Sequence, residues 1–326
     1  MKRNSAVELL RVLMMFGICL EHAIWQCGYV PKYHVTTDFC VCGFVFISGY
    51  FGIRFTWNKV LRLVGLGVFC ALVAVATSVF CGGGELNVAG LAKTFIGVFR
   101  GWWFLWAYVV LMCFAPLINA ALEGCGKREA IKMTLPLLLC VYVWMMLAGF
   151  PVLRDVLPAP RGFGGCSFLS LIGVYVAVRL AVKLDYERYM NGWIVVGSIV
   201  LYFALGLLKL WAYWYVPAFL ISASLFWAFR QMRLPGWLER VSLFLSPSMF
   251  SVYLLHMAGP NLYLMKLFEK FCVEDCKLPI VVAYFVTAAV AFGVCLGVDV
   301  LRRLALAGGR VVWGKCSIRE PIDTCV

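Results

Sequence analysis

The sequence predicts an all-α fold, a polytopic transmembrane bundle of about ten spanning helices with both termini cytoplasmic. Three observations carry this expectation. Hydrophobic residues make up 63% of the chain, charged residues only 14%, and mean hydropathy is +0.91; a soluble domain is about half apolar and a quarter charged. Apolar runs recur at roughly 8–27, 38–53, 63–80, 102–122, 133–151, 167–182, 192–209, 213–229, 247–265 and 279–301, mostly near the ~20 residues a span needs. Lys and Arg alternate between the intervening segments and favour one side about two to one. With the N-terminus inside, the inner segments hold Arg54, Lys59 and Arg62; Lys127, Arg128 and Lys132; Arg179, Lys183 and Arg188; and Arg230, Arg233 and Arg240.

The first run, Glu8 through Ala23, is apolar yet contains Arg11, Glu21 and His22. A charge inside a span costs several kcal/mol, so such residues usually face a protein interior or a water-filled passage. Arg11 and His22 are eleven positions apart, three helical turns and about 20° more, so they project from one face about 16 Å apart. Glu8 lies one turn before Arg11 and can pair with it. Arg11 as a snorkelling anchor is the plain alternative, but the pair on one face, in a chain with three histidines, points to function.

The second run ends in Phe46-Ile47-Ser48-Gly49-Tyr50, where small residues suit close helix packing or contact with a substrate. In the basic segment that follows, Lys59 and Arg62 are one turn apart if helical. Together with Arg54 they could face a phosphate-bearing ligand, or simply mark an inner loop. The segment 82–101 reads as an outer loop whose short apolar part lies along the interface or re-enters. Trp102, Trp103 and Trp106 suggest an outer aromatic belt, with ligand stacking as the alternative. Pro116 is expected to kink its helix. The ninth run carries Tyr253 and His256, the latter about 13 Å deep if the helix is continuous from Ser248. His34, Asp38, Arg154, Asp155 and Arg161 fall in outer loops, and Trp211 and Trp214 in a second belt. An integral-membrane domain over 1–304 with a cytoplasmic tail over 305–326 completes the expected organisation.

The net charge of +13 is explained by inner loops, and no basic patch interleaved with aromatics suggests nucleic acid. Most of the fifteen cysteines lie in apolar runs as small packing residues. Cys272 and Cys276 could bridge if their loop faces an oxidising compartment. No His/Cys metal spacing, phosphate loop or nucleophile elbow occurs.

Several of these segments together resemble the acyltransferase 3 family of integral-membrane O-acyltransferases. Arg11, ten residues and His22, with Glu8 before them, resemble that family's first helix. Phe46 to Tyr50, Lys59 with Arg62, Trp103-Phe104-Leu105 with Pro116, and Ser251 to His256 resemble later motifs, in the family's order. The resemblance implies a cytoplasmic acyl-CoA donor, most often acetyl-CoA, and a hydroxyl acceptor on an extracytoplasmic glycan or similar molecule, in the inner cell membrane. It also implies His22 as general base or transient acyl carrier, Arg11 as orienter or oxyanion stabiliser, and Glu8, Glu21, Ser48, Tyr253 and His256 as supporting residues. Arg54, Lys59 and Arg62 would bind the donor, although Lys59 stands where the family more often has Arg, which weakens bidentate phosphate binding. No metal is implied. A transporter would use the same charged interior, but inverted repeats and paired broken helices are not evident in the sequence.

Overall fold

The computed structural model describes residues 3–26, 37, 39–81, 87–149, 168–207 and 215–313. His34, Asp38, Arg154, Asp155, Arg161, Trp211 and Trp214 lie outside the described residues. Among the described residues the fold is helical, without strands. In order the helices are α1 (Ser5–Gln26), α2 (Phe39–Phe51), α3 (Trp57–Phe80), α4 (Val88–Gly101), α5 (Trp103–Glu123), α6 (Lys127–Gly149), α7 (Phe168–Lys183), α8 (Gly192–Leu207), α9 (Tyr215–Gln231), α10 (Gly236–Leu245), α11 (Met249–His256), α12 (Gly259–Lys270) and α13 (Ile280–Trp313). Residues 82–101 contain α4 rather than loop alone.

Local signals set many of the boundaries. Asn4 Oδ1 accepts from the backbone N–H groups of Ala6 and Val7 at the start of α1. Thr56 Oγ1 does the same for Lys59, Asn87 Oδ1 for Gly90 and Asn191 Oδ1 for Ile194. Each satisfies an N–H that has no partner within its helix. Gly52, at φ +76°, ends α2 in the left-handed region that glycine enters without strain.

Three helices are long and apolar enough to cross a membrane alone: α3, α5 and Ile280–Ala307 of α13. A fourth span results if Gly236–His256 and Gly259–Asp275, bent by 85°, count together. The α5 helix runs unbroken through Pro116. The ninth apolar run, by contrast, is not one straight helix. Pro260 has no N–H to give the His256 carbonyl, its ring crowds that carbonyl, and it disfavours helical geometry at Gly259. The chain therefore breaks at Met257–Ala258, and Ala258 is extended at ψ 131°. Asn261 Nδ2 donates to the Leu255 carbonyl at 2.6 Å, capping the broken end.

Contacts divide the chain into two compact units. The first comprises Met1–Val30, Val64–Gly101 and Leu234–Val326. In it α1 packs on α10, α11 and α13, burying Val7, Leu10, Met14, Met15, Ile18 and Cys19. Phe16 meets Phe285 and Phe292 of α13. Near its far end, α13 buries Asp299 against Arg302 at 2.7 Å, and Arg303 donates to Ser248 Oγ and the Phe244 carbonyl, both at 3.0 Å.

The second unit comprises Pro31–Leu63 and Trp102–Arg233. Its centre is α7, which packs on α2, α5 and α6. Trp102 is buried in this unit, which takes it out of the expected surface belt; Trp106 is exposed. Lys127 bonds to Asp185 in an exposed turn, and that hydrogen bond holds the Asp185 carboxyl below its ordinary range.

Candidate active site

The first unit gathers four of the expected site residues on α1 and two on α11. Glu8 and Arg11 are both buried, with Arg11 Nη1 at 3.4 and 3.5 Å from the two Glu8 oxygens. The i, i+3 spacing read from the sequence thus becomes a buried ion pair. Glu21 is buried on the same helix.

His22 and His256 meet across the α1–α11 contact. His256 Nε2 lies 3.1 Å from His22 Nδ1, and the ring centroids are 5.0 Å apart. His256 is buried, with its Nδ1 2.8 Å from the Val252 carbonyl oxygen one turn back. A carbonyl oxygen only accepts, so His256 Nδ1 carries the proton. In a neutral ring the other nitrogen, Nε2, is then an acceptor. The atom facing it, His22 Nδ1, must donate. Neutral His22 therefore holds its lone pair on Nε2, which is the arrangement a general base requires. Tyr253 packs beside His256, with ring centroids 5.9 Å apart. His256 thus orients His22, a relationship invisible in a sequence that separates them by 234 positions.

A cavity of about 520 Å³ opens beside His256 in the same unit. Its walls come from α3, α11, α12 and α13, and include His256 and Asn261. Asn261 escaped the sequence reading; the Gly259-Pro260 pair just before it was the available signal of a break needing a polar cap.

The remaining predicted residues belong to the second unit. Ser48 Oγ donates to the Phe44 carbonyl at 2.9 Å and, at 3.2 Å, receives the Tyr108 hydroxyl. Gly49 meets α7 closely: a Cβ there would sit 2.9 Å from Val178 Cβ. Gly49 is therefore a point of close packing in α2. Arg54 precedes α3, while Lys59 and Arg62 occupy its first turns, one turn apart as expected. Arg54 and Arg62 are exposed.

The segment leading to Arg54 is clamped by residues not singled out from the sequence. Ile53 N–H donates to Tyr175 Oη at 2.9 Å, Tyr175 donates to Asn119 Oδ1 at 2.9 Å, and Asn119 Nδ2 donates to the Ile53 carbonyl at 3.1 Å. Arg179 bonds to the Gly49 carbonyl and to Glu123. Arg230 bonds to both Tyr50 and Glu187, and the Tyr50 hydroxyl donates to Glu187 at 2.6 Å. Cys272 and Cys276 are free thiols, the first buried and the second exposed. Among the described residues no cluster of three or more His, Cys, Asp or Glu could hold a metal.

Residues 4–300 match the profile of a family described as an acyltransferase domain, Acyl_transf_3. The chain belongs to the acyltransferase 3 family. That match spans both units and every expected site residue, so the charged α1 helix and the broken α11–α12 pair are parts of one acyltransferase domain. The chain is a membrane acyltransferase, all-helical, with helices capable of crossing a bilayer. No curated protein and no solved structure matches it.

Proposed function

We propose that this acyltransferase moves an acyl group from cytoplasmic acyl-CoA to a hydroxyl of an extracytoplasmic glycan or similar acceptor, with acetyl as the smallest group transferred. The observation that carries this reading is the His22–His256 contact, which leaves His22 Nε2 as a positioned base. His22 takes the acceptor hydroxyl proton as its oxygen attacks the thioester carbonyl. The new C–O bond forms, the C–S bond breaks, and the proton passes to the departing thiolate of CoA. Arg11 orients the donor or balances charge on the carbonyl oxygen, with Glu8 holding its guanidinium. The donor phosphates engage Arg54, Lys59 and Arg62. The clamp on Ile53 supports this role by fixing the backbone next to Arg54.

In this reading the chain sits in the inner cell membrane with ten crossings and both termini cytoplasmic, the shorter and charged helices being sheltered by their neighbours. The 85° break favours transport as the second reading, because transporters bind solutes at broken helices. Those breaks come in symmetry-related pairs, whereas a single such break is found among the described residues.

The test is His22→Ala in membranes supplied with labelled acetyl-CoA, with insertion confirmed by protease mapping. Label transfer to cell-surface glycan should fall by about a hundredfold or more, the usual cost of losing a positioned base. Transfer at the wild-type rate would eliminate His22 as base or carrier.

A further inference from the structure

The cavity beside the histidine pair is larger and drier than an acetyl group requires. Its α13 wall runs from Thr287 through Ala291 and Val294 to Val298, about 16 Å at the helical rise of 1.5 Å per residue. That is close to one leaflet's depth of the ~30 Å hydrocarbon core. The facing walls are mostly aliphatic or aromatic, with Leu264, Met265 and Phe268 of α12 opposite α13. An apolar cavity of about 150 Å³ takes one benzene ring. This one, at about 520 Å³, accommodates on the order of twenty carbons by the same measure.

Its polar group of consequence is His256, which is buried and bonded through Nε2 to His22. An alkyl chain in the cavity would therefore bring whatever carbonyl it carries up to His256, the direct partner of His22. The exposed parts of the wall, such as Val290 and Val294, are as apolar as the lipid beside them, so a hydrocarbon can enter without desolvating a polar surface.

We propose that this cavity is an acyl-chain site, and that the enzyme transfers medium- to long-chain acyl groups, of roughly eight to twenty carbons, in preference to acetyl. This rests on the acyl-CoA reading above and specifies the group transferred. The bonds exchanged are the same: the thioester C–S bond breaks, the ester C–O bond forms, and CoA leaves with the acceptor's proton. Chain length changes the binding alone, since each methylene moved from water into an apolar site favours binding by about three- to fourfold.

The experiment uses membrane vesicles containing the full chain and compares acetyl-, octanoyl- and dodecanoyl-CoA as labelled donors, with His22→Ala vesicles as background. Wild type should show kcat/KM at least tenfold higher for octanoyl or dodecanoyl than for acetyl. Ala291→Phe, which fills the cavity away from the histidines, should lose at least tenfold on dodecanoyl while acetyl transfer stays within about twofold. Val290→Phe is a second filling variant, and retained acetyl transfer certifies that either has folded. If acetyl is transferred best and the filling variants leave every donor unchanged, a bilayer lipid is the occupant. The acyl-chain site is then wrong while the acyltransferase reading stands. If no acyl-CoA supports transfer above background, both readings fail.

Discussion

His256 Nε2 and His22 Nδ1 stand 3.1 Å apart, one ring on each side of the α1–α11 contact. Because His256 is itself tied to the Val252 carbonyl at 2.8 Å, the pair is polarised in one direction. The proton on His22 is kept at Nδ1 and the lone pair at Nε2.

His256 acts through His22, so its loss should look different from loss of the base itself. His256→Ala should lower kcat by about 10- to 100-fold, the usual range for partners that orient a functional imidazole, while KM for acyl-CoA changes little. His256→Gln, whose amide oxygen can still accept from His22 Nδ1, should recover part of that loss. The acid limb of the kcat profile, where His22 becomes protonated and ceases to act as a base, should move in His256→Ala and return towards wild type in His256→Gln. An unchanged acid limb in both variants would show that His256 merely packs.

Glu8 and Arg11 are buried together, and breaking such a pair costs more than deleting it. Glu8→Ala leaves a guanidinium without its carboxylate and should destabilise the protein by about 3–5 kcal/mol. The double variant Glu8→Leu with Arg11→Met should cost less than Glu8→Ala alone, since neither charge is left behind. Thermal unfolding in detergent reads both. A double variant that is the weaker of the two would contradict this account.

The Tyr175–Asn119–Ile53 clamp separates a donor-binding effect from a chemical one. Tyr175→Phe removes the hydroxyl that joins Ile53 N–H to Asn119 and should cost about 1–3 kcal/mol of stability for the groups left unsatisfied. If the adjoining Arg54, Lys59 and Arg62 hold the donor's phosphates, KM for acyl-CoA should rise several-fold with kcat nearly unchanged. A fall in kcat alone would move the donor site elsewhere.

Gly49 is the closest approach of α2 to α7. Gly49→Ala places a methyl 2.9 Å from Val178 Cβ and should destabilise by about 1–3 kcal/mol through overpacking. Adding Val178→Ala should restore most of the loss. Gly65→Ala, with no neighbouring atom within 4 Å, should be neutral or stabilising by up to about 1 kcal/mol, because alanine is the better helix former. Melting temperatures of the four proteins decide the matter.

The placing of the charges along α1 was legible in the order of residues. A helix repeats every 3.6 residues whatever surrounds it, so Glu8 with Arg11, and Arg11 with His22, could be assigned to one face before any packing was known. The same holds for Lys59 and Arg62 at the start of α3, and for the strongly apolar character of the bundle. The break after His256 was also written locally, in Gly259-Pro260. It was passed over because the apolar run continues across it, and hydropathy does not register a missing N–H.

Contacts between distant segments had no such local signature. Nothing periodic links His22 to His256, Asn119 to Tyr175, or Gly49 to Val178, since each pair depends on how separate helices pack, and packing is set by shape and by the need to satisfy buried polar atoms. The sequence by itself determined a helical membrane protein with a charged first helix and the residues of an acyltransferase. The tertiary structure alone decided which histidine orients which, that Gly49 packs against Val178, and that an apolar cavity opens beside His256. A proton's position on an imidazole is chosen by the atom across from it, and that atom arrives only when the chain has folded.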